Sequence, residues 1–265
     1  MDITLPVLFV AHGSPMFALE PGAAGDALKV LARDLPRPRA VLVISPHWET
    51  TVPTVSTAIQ LETIHAFSGF DPRLHAIQCP ASGSPEAAQE VVIALHAAGL
   101  PCLSDDRRGL DHGAWVPLRY LFPAAPVPIV PLSIQHHAGP QHAYRIGQAL
   151  TPLTKRGWLI LASGNVTHNL NDWQRASSGL AINTDDAQRF SDWIHTQVMG
   201  QQVNALLAYR QSHPDALRAH PRDEHLLPLF TAVGAAGPDA APRAFHRGIS
   251  DQVIAMDGYA FEPQS

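Results

Sequence analysis

Apolar residues along this 265-residue chain come in short runs that stop abruptly at Gly, Pro or Asn. Residues 6–11 and 40–45 are aliphatic and β-branched without polar alternation, a pattern that predicts strands buried on both faces and therefore paired in parallel. Between them, residues 23–35 carry apolar side chains at helical spacing and are stopped by Pro36 and Pro38, completing a βαβ unit. Ser84, Pro85 and Glu86 open a second helix, with Ser84 as its N-cap and Pro85 at the first position, where a missing N–H costs little. Its apolar face runs through Val91, Val92, Leu95 and Ala98, and Gly99 ends it. Residues 127–134 and 158–162 predict two further strands, with residues 141–153 helical between them. A long helix is predicted over Asp185–Met199, with shorter ones over 205–210 and 224–233. Residues 234–242 are expected to form a surface loop, and 253–261 a terminal strand on a sheet edge. This alternation predicts one α/β domain over residues 1–265, with a central, largely parallel or mixed sheet flanked by helices.

Composition narrows the function classes. Hydrophobic content of 46% with 15% charged residues suits a compact globular chain, and a mean hydropathy near zero excludes disorder and membrane residence. The net charge is −5, and no basic stripe is present, so nucleic acid and anionic lipid are not expected partners. Cys79 and Cys102, the only cysteines, give neither a disulfide framework nor a zinc ribbon, and both are expected to be buried and reduced. The N-terminus has no signal-peptide pattern. A cytoplasmic monomer or small homo-oligomer is expected.

The chemistry lies in where the histidines fall. His12 follows the first strand and precedes Gly13-Ser14-Pro15, a tight turn that would present its ring at the carboxyl edge of the sheet. His47 repeats the arrangement after the second strand. In an open α/β sheet, loops leaving these strand ends converge on one crevice, so two imidazoles there point to one metal ion. His168, in Gly164-Asn165-Val166-Thr167-His168-Asn169, is a third strand-end histidine, as ligand or as acid/base. Glu224 and His225 open a short helix, and either could complete a three-ligand face. His112, in Asp111-His112-Gly113-Ala114-Trp115, would face the same crevice, with Asp111 to orient it. His65, Trp48, Phe67, Phe70 and Trp115 would wall a pocket. For any one of these the plain alternative is a histidine hydrogen-bonded in a loop, and the nine remaining histidines are read that way. No dinucleotide or phosphate-binding glycine loop and no nucleophile elbow is present.

The ordered segments HGSP at 12–15, SPHW at 45–48, TIHAFSGF at 63–70, SGSP at 82–85, LDHGAW at 110–115, PLSI at 131–134, SGNVTHNL at 163–170 and EHLLPL at 224–229 resemble the class III extradiol ring-cleaving dioxygenases. The nearest branch includes plant and bacterial 4,5-DOPA dioxygenases. The resemblance implies that His12, His47 and His225 bind the metal. It places His168 at the metal as ligand or catalytic base, and His112 as a pocket histidine. The chain departs from the familiar pattern at Ala66, Ser68 and Asp71, where Asp, Gly and Pro are usual, which bears on substrate identity more than on chemistry.

The implied reaction is cleavage of a DOPA-like catechol ring by O2 beside its two hydroxyls. It calls for Fe(II), although Zn(II) would occupy the same ligands. Three protein ligands on one face of an octahedral ion leave three positions, two for a chelating catechol and one for dioxygen. A zinc hydrolase on the same site, or a non-catalytic binding protein of the same fold, are the rival expectations.

Overall fold

The computed structural model describes residues 4–123 and 127–264. Its strands are β1 (Val7–Ala11), β2 (Ala40–Glu49), β3 (Thr54–Ser56), β4 (Gln60–Leu61), β5 (Ala81–Ser82), β6 (Leu103–Asp105), β7 (Ile129–Ile134), β8 (Trp158–Gly164), β9 (Ala241–His246), β10 (Ile249–Ser250), β11 (Ile254–Ala255) and β12 (Gly258–Glu262). Its helices are α1 (Gly22–Asp34), α2 (Pro85–Ala97), α3 (His112–Leu121), α4 (Gly139–Thr154), α5 (Leu170–Ser177), α6 (Asp185–Met199), α7 (Val203–Leu207), α8 (Tyr209–Ser212), α9 (Ala216–Ala219) and α10 (Leu227–Ala236).

Eight strands form one mixed sheet in the order β6-β3-β7-β2-β8-β1-β12-β9. The central strands β7, β2, β8 and β1 run parallel, while β12 and β9 add antiparallel pairs. Successive residues of one strand enter opposite cores. Val7 and Phe9 pack with α2, α4 and α10, whereas Leu8 and Val10 pack with α1 and α3. That two-sided burial is why these strands lack polar alternation in the sequence. Burying both faces leaves only the strand ends open to substrate.

Ser84 caps α2 as expected, its hydroxyl accepting from the Ala87 amide at 3.1 Å, and Gly99 follows the helix at φ 71°. Four expectations are corrected. The terminal segment 253–261 is two strands, because the buried Asp257 carboxylate accepts from Ser191, Tyr259 and Arg247 and turns the chain between them. Moreover, β12 lies inside the sheet, and β9, which begins within the segment expected to be a loop, takes the edge. The short helix near 224 starts only at Leu227, leaving Glu224 and His225 in the preceding turn. The segment 205–210 divides at Ala208 into α7 and α8.

Three helices, α3, α5 and α9, were not foreseen. Gly113 and Pro117 lower the intrinsic helix propensity of α3, and the turn signals of GNVTHN masked α5. Both cysteines are free, with Cys102 buried and Cys79 only half-buried. Burial pushes the Cys102 thiol up to about 11. Among the described residues, no helix is long and apolar enough to cross a membrane.

Candidate metal centre

The carboxyl ends of β1, β2 and β8 meet at one place, and the histidines gather there. His12 is the first residue past β1, and its amide donates to the Gly164 carbonyl at the end of β8. Gly13 follows at φ 64°, the left-handed turn its sequence predicts. Its N–H donates to Asn165 Oδ1 at 2.9 Å. His47 lies within the last residues of β2 rather than beyond it, in a stretch where the pairing with β7 shifts register, and its carbonyl accepts from Arg108 at 3.2 Å. His225 reaches the site because Gly164 has no side chain. A Cβ there would stand 2.3 Å from the His225 carbonyl, which instead accepts from the Asn165 amide at 2.9 Å.

Nε2 of His12 and Nε2 of His47 are 3.2 Å apart. The rings of His12, His47 and His225 form a near-equilateral triangle, with centroids 5.2, 5.4 and 4.9 Å apart. His112 stands closer to His47, at 4.0 Å between centroids, and 5.5 Å from His12. His168 stacks on His225 at 3.4 Å with the planes 12° apart. By donor proximity, the groups that could hold an ion are His12, His47 and His112, and, beside them, His168, Glu224 and His225.

Supporting contacts fix the tautomers. Ser163 Oγ donates to the Gly113 carbonyl at 2.5 Å and so accepts from His12 Nδ1 at 3.0 Å, leaving the His12 Nε2 lone pair free. That carbonyl is available because its helical partner would be the N–H of residue 117, which is a proline inside α3. His225 Nδ1 donates to Glu224 Oε1 at 2.8 Å, freeing its Nε2 in the same way. Glu224 in turn has Arg222 Nε at 3.1 Å, and Arg222 also pairs with Glu49.

Burial, reinforced by neighbouring imidazoles, holds His12 and His225 well below the ordinary histidine value. His47 is lowered by burial as well, against the opposing pull of Asp111. Burial also takes His112 and His168 down to about 3. All five rings are therefore neutral at neutral pH, the state in which imidazole ligates.

This donor set fits a divalent transition metal. Nitrogens held about 2.0–2.1 Å from one ion stand roughly 3 Å from one another, which matches the His12–His47 separation. The stacked rings of His168 and His225 lie in near-parallel planes, unlike the splayed rings of the triangle.

Above the histidines opens a cavity of about 330 Å³. Phe67 and Phe70 line it, together with Trp173, Leu170 and Ile254, which sequence reasoning missed. The signal for these three was the hidden helix α5 and the broken terminal strand. Trp48, Trp115 and His65 do not line the cavity. Trp48 stacks under the Arg108 guanidinium. Trp115 is fully buried, with its indole N–H donating to the Ile64 carbonyl. His65 Nε2 is bonded to the Ile77 carbonyl, and its ring packs on Phe67. Asp111 does not orient His112 by a hydrogen bond. Its carboxylate accepts from Ser45 at 2.5 Å and Arg108 at 2.6 Å, and His112 Nδ1 is buried with no partner.

A set of neutral imidazoles at the carboxyl edge of an α/β sheet, beneath an aromatic-walled cavity, defines a metal-site class of enzyme. A family model for the catalytic LigB subunit of aromatic ring-opening dioxygenase matches residues 7–261. The chain is 36% identical over 260 residues to 4,5-DOPA dioxygenase extradiol of Beta vulgaris, covering 96% of this chain and 95% of that protein. It is 35% identical over 237 residues to the protein of the same name in Escherichia coli (strain K12), covering 87% and 85%. The crystal structure of the uncharacterized protein JW3007 from Escherichia coli K12 matches with a TM-score of 0.81 at 30% identity, over 97% of this chain and 99% of that one. The chain belongs to the LigB family of ring-opening dioxygenases, whose enzymes are metal-dependent.

Proposed function

We propose that this protein is an Fe(II)-dependent extradiol dioxygenase that opens a catechol ring beside its two hydroxyls, giving a muconic-semialdehyde-type product. The observation that carries the reading is the triangle of His12, His47 and His225, with the Nδ1–H groups of His12 and His225 engaged from behind and a cavity opening in front. A metal bound there would be held by these three residues and would supply the redox coupling of catechol and dioxygen. Three protein ligands on one face suit non-haem iron chemistry of this kind.

The remaining work falls to the chain itself. His168 lines the cavity without competing for the triangle, so it takes a proton from a catechol hydroxyl and later returns it. His112, also on the cavity wall, forms a hydrogen bond to a substrate oxygen through its inward edge. Phe67 stands edge-on to His112, with centroids 5.5 Å apart, and offers its face to the substrate ring while excluding water.

The test is reconstitution under anaerobic conditions with Fe(II), followed by air and a catechol. Oxygen uptake with a yellow ring-fission product is expected from the iron form, and none from the zinc form, which has no accessible redox change. A fully iron-loaded, folded protein that consumes no oxygen with any catechol would overturn the proposal. Ester or amide cleavage by the zinc form would establish the hydrolase instead.

A further inference from the structure

The cavity wall away from the histidines has a character of its own. Phe67, Phe70 and Trp173 form a continuous aromatic row, with centroid separations of 6.0 and 5.6 Å, that leads outward from His112. Trp173 is held in the row by its indole N–H, which lies 3.4 Å from Asp251. Asp251 sits at φ 49° in the β10–β11 turn, a conformation uncommon for a residue with a side chain. Past the row, Leu170 continues the wall to the rim and is 57% exposed, an apolar side chain left in water at the mouth of a cavity.

Among the described residues, no lysine or arginine lines this cavity. The arginines on the flanking segments are engaged elsewhere: Arg73 with Asp71, Arg222 with Glu49 and Glu224, Arg218 with Asp172 and Asp186, and Arg175 with the Ala181 carbonyl. Two polar residues besides the histidines and Glu224 face the cavity, Ser14 and Asn169. The Asn169 amide is spent capping α5 and bonding the Arg218 carbonyl. Glu224 Oε1 is engaged by His225 Nδ1, and its Oε2 lies 3.1 Å from Arg222 Nε. A carboxylate or zwitterion attached to the substrate ring would therefore lose its water here and gain no counter-ion, which is costly for a charged group.

We infer that the substrate is a catechol carrying an uncharged apolar substituent, alkyl or aryl, which lies along Phe67, Phe70, Trp173 and Leu170. An amino-acid side chain, as the name of the 4,5-DOPA relatives indicates for those proteins, does not match this wall. The inference rests on the ring-cleavage reading, since it assumes the catechol end points at the histidines.

The experiment compares 4-butylcatechol, unsubstituted catechol and L-DOPA in two assays. The iron form is followed by oxygen uptake for kcat/KM. The zinc form, which binds without turnover, is titrated by tryptophan fluorescence for Kd. A preference for 4-butylcatechol over L-DOPA of at least about tenfold is expected in both assays, because even a single methylene is discriminated by roughly 10–200-fold in a matching apolar pocket. Trp173→Ala should shrink that preference by about tenfold, and Trp173→Phe should restore most of it. With the tryptophan replaced, these variants are compared by oxygen uptake and calorimetry.

L-DOPA equal to or better than 4-butylcatechol, with catechol itself cleaved, overturns this inference and leaves ring cleavage standing. No cleavage of any of the three overturns both readings.

Discussion

His12→Ala, His47→Ala and His225→Ala are each expected to lose bound metal by more than about 100-fold in affinity, with activity falling alongside. Loss of a hydrogen-bond partner behind a ligand already costs roughly 10–100-fold, and removal of the donor nitrogen itself exceeds that. The three residues come from the ends of β1 and β2 and from the turn before α10, so no local unfolding explains a common loss. Metal content after chelator competition, with circular dichroism to check folding, measures the effect. Glu224→Gln should fall between these variants and the parent chain, because the amide keeps an acceptor for His225 Nδ1–H but lacks the charge. The competing trio His12, His47 and His112 predicts a different pattern, in which His112→Ala strips the metal and His225→Ala retains it.

His168→Ala is expected to keep most of its metal and to lose about 10²–10⁴ in rate, the range typical of a general acid–base group. The stacked geometry sets this expectation. At 3.4 Å and 12° from the His225 ring, His168 lies parallel to that ring instead of splayed from it like His12 and His47. It can still reach a substrate hydroxyl in the cavity that both rings line. Rate and metal content measured on the same sample separate the roles. Parallel loss of both would make His168 a fourth ligand, and no change in either would remove it from the site.

The strand-end histidines were legible because a buried parallel strand and a following Gly or Pro turn are both local patterns. His12 and His168 needed nothing more. The aromatic residues were less legible because a strand-end Trp or Phe carries no mark of which side it faces. Trp48 and Trp115 sit beside site residues in sequence, yet they point into an ion pair and a core respectively. Trp173 lies five residues past His168, and its place on the cavity depends on α5, whose start at Leu170 follows an Asn-rich turn that reads as loop. Long-range pairing decided the rest. The position of β12 inside the sheet follows from its register with β1 and β9, which no local window contains.

Pro117 interrupts α3, and a designer seeking a more heat-resistant enzyme would choose it early for replacement, since proline in a helix interior costs about 3 kcal/mol relative to alanine. The replacement would restore a backbone N–H opposite the Gly113 carbonyl that Ser163 now uses. Ser163 would then have to share its acceptor, and its hold on the His12 tautomer would loosen. Thermal tolerance and metal retention are thus set against each other at a residue well outside the cavity, the kind of trade-off expected where a local irregularity serves a site. Stabilisation of this scaffold is better sought on α1 or α6, far from that chain of hydrogen bonds.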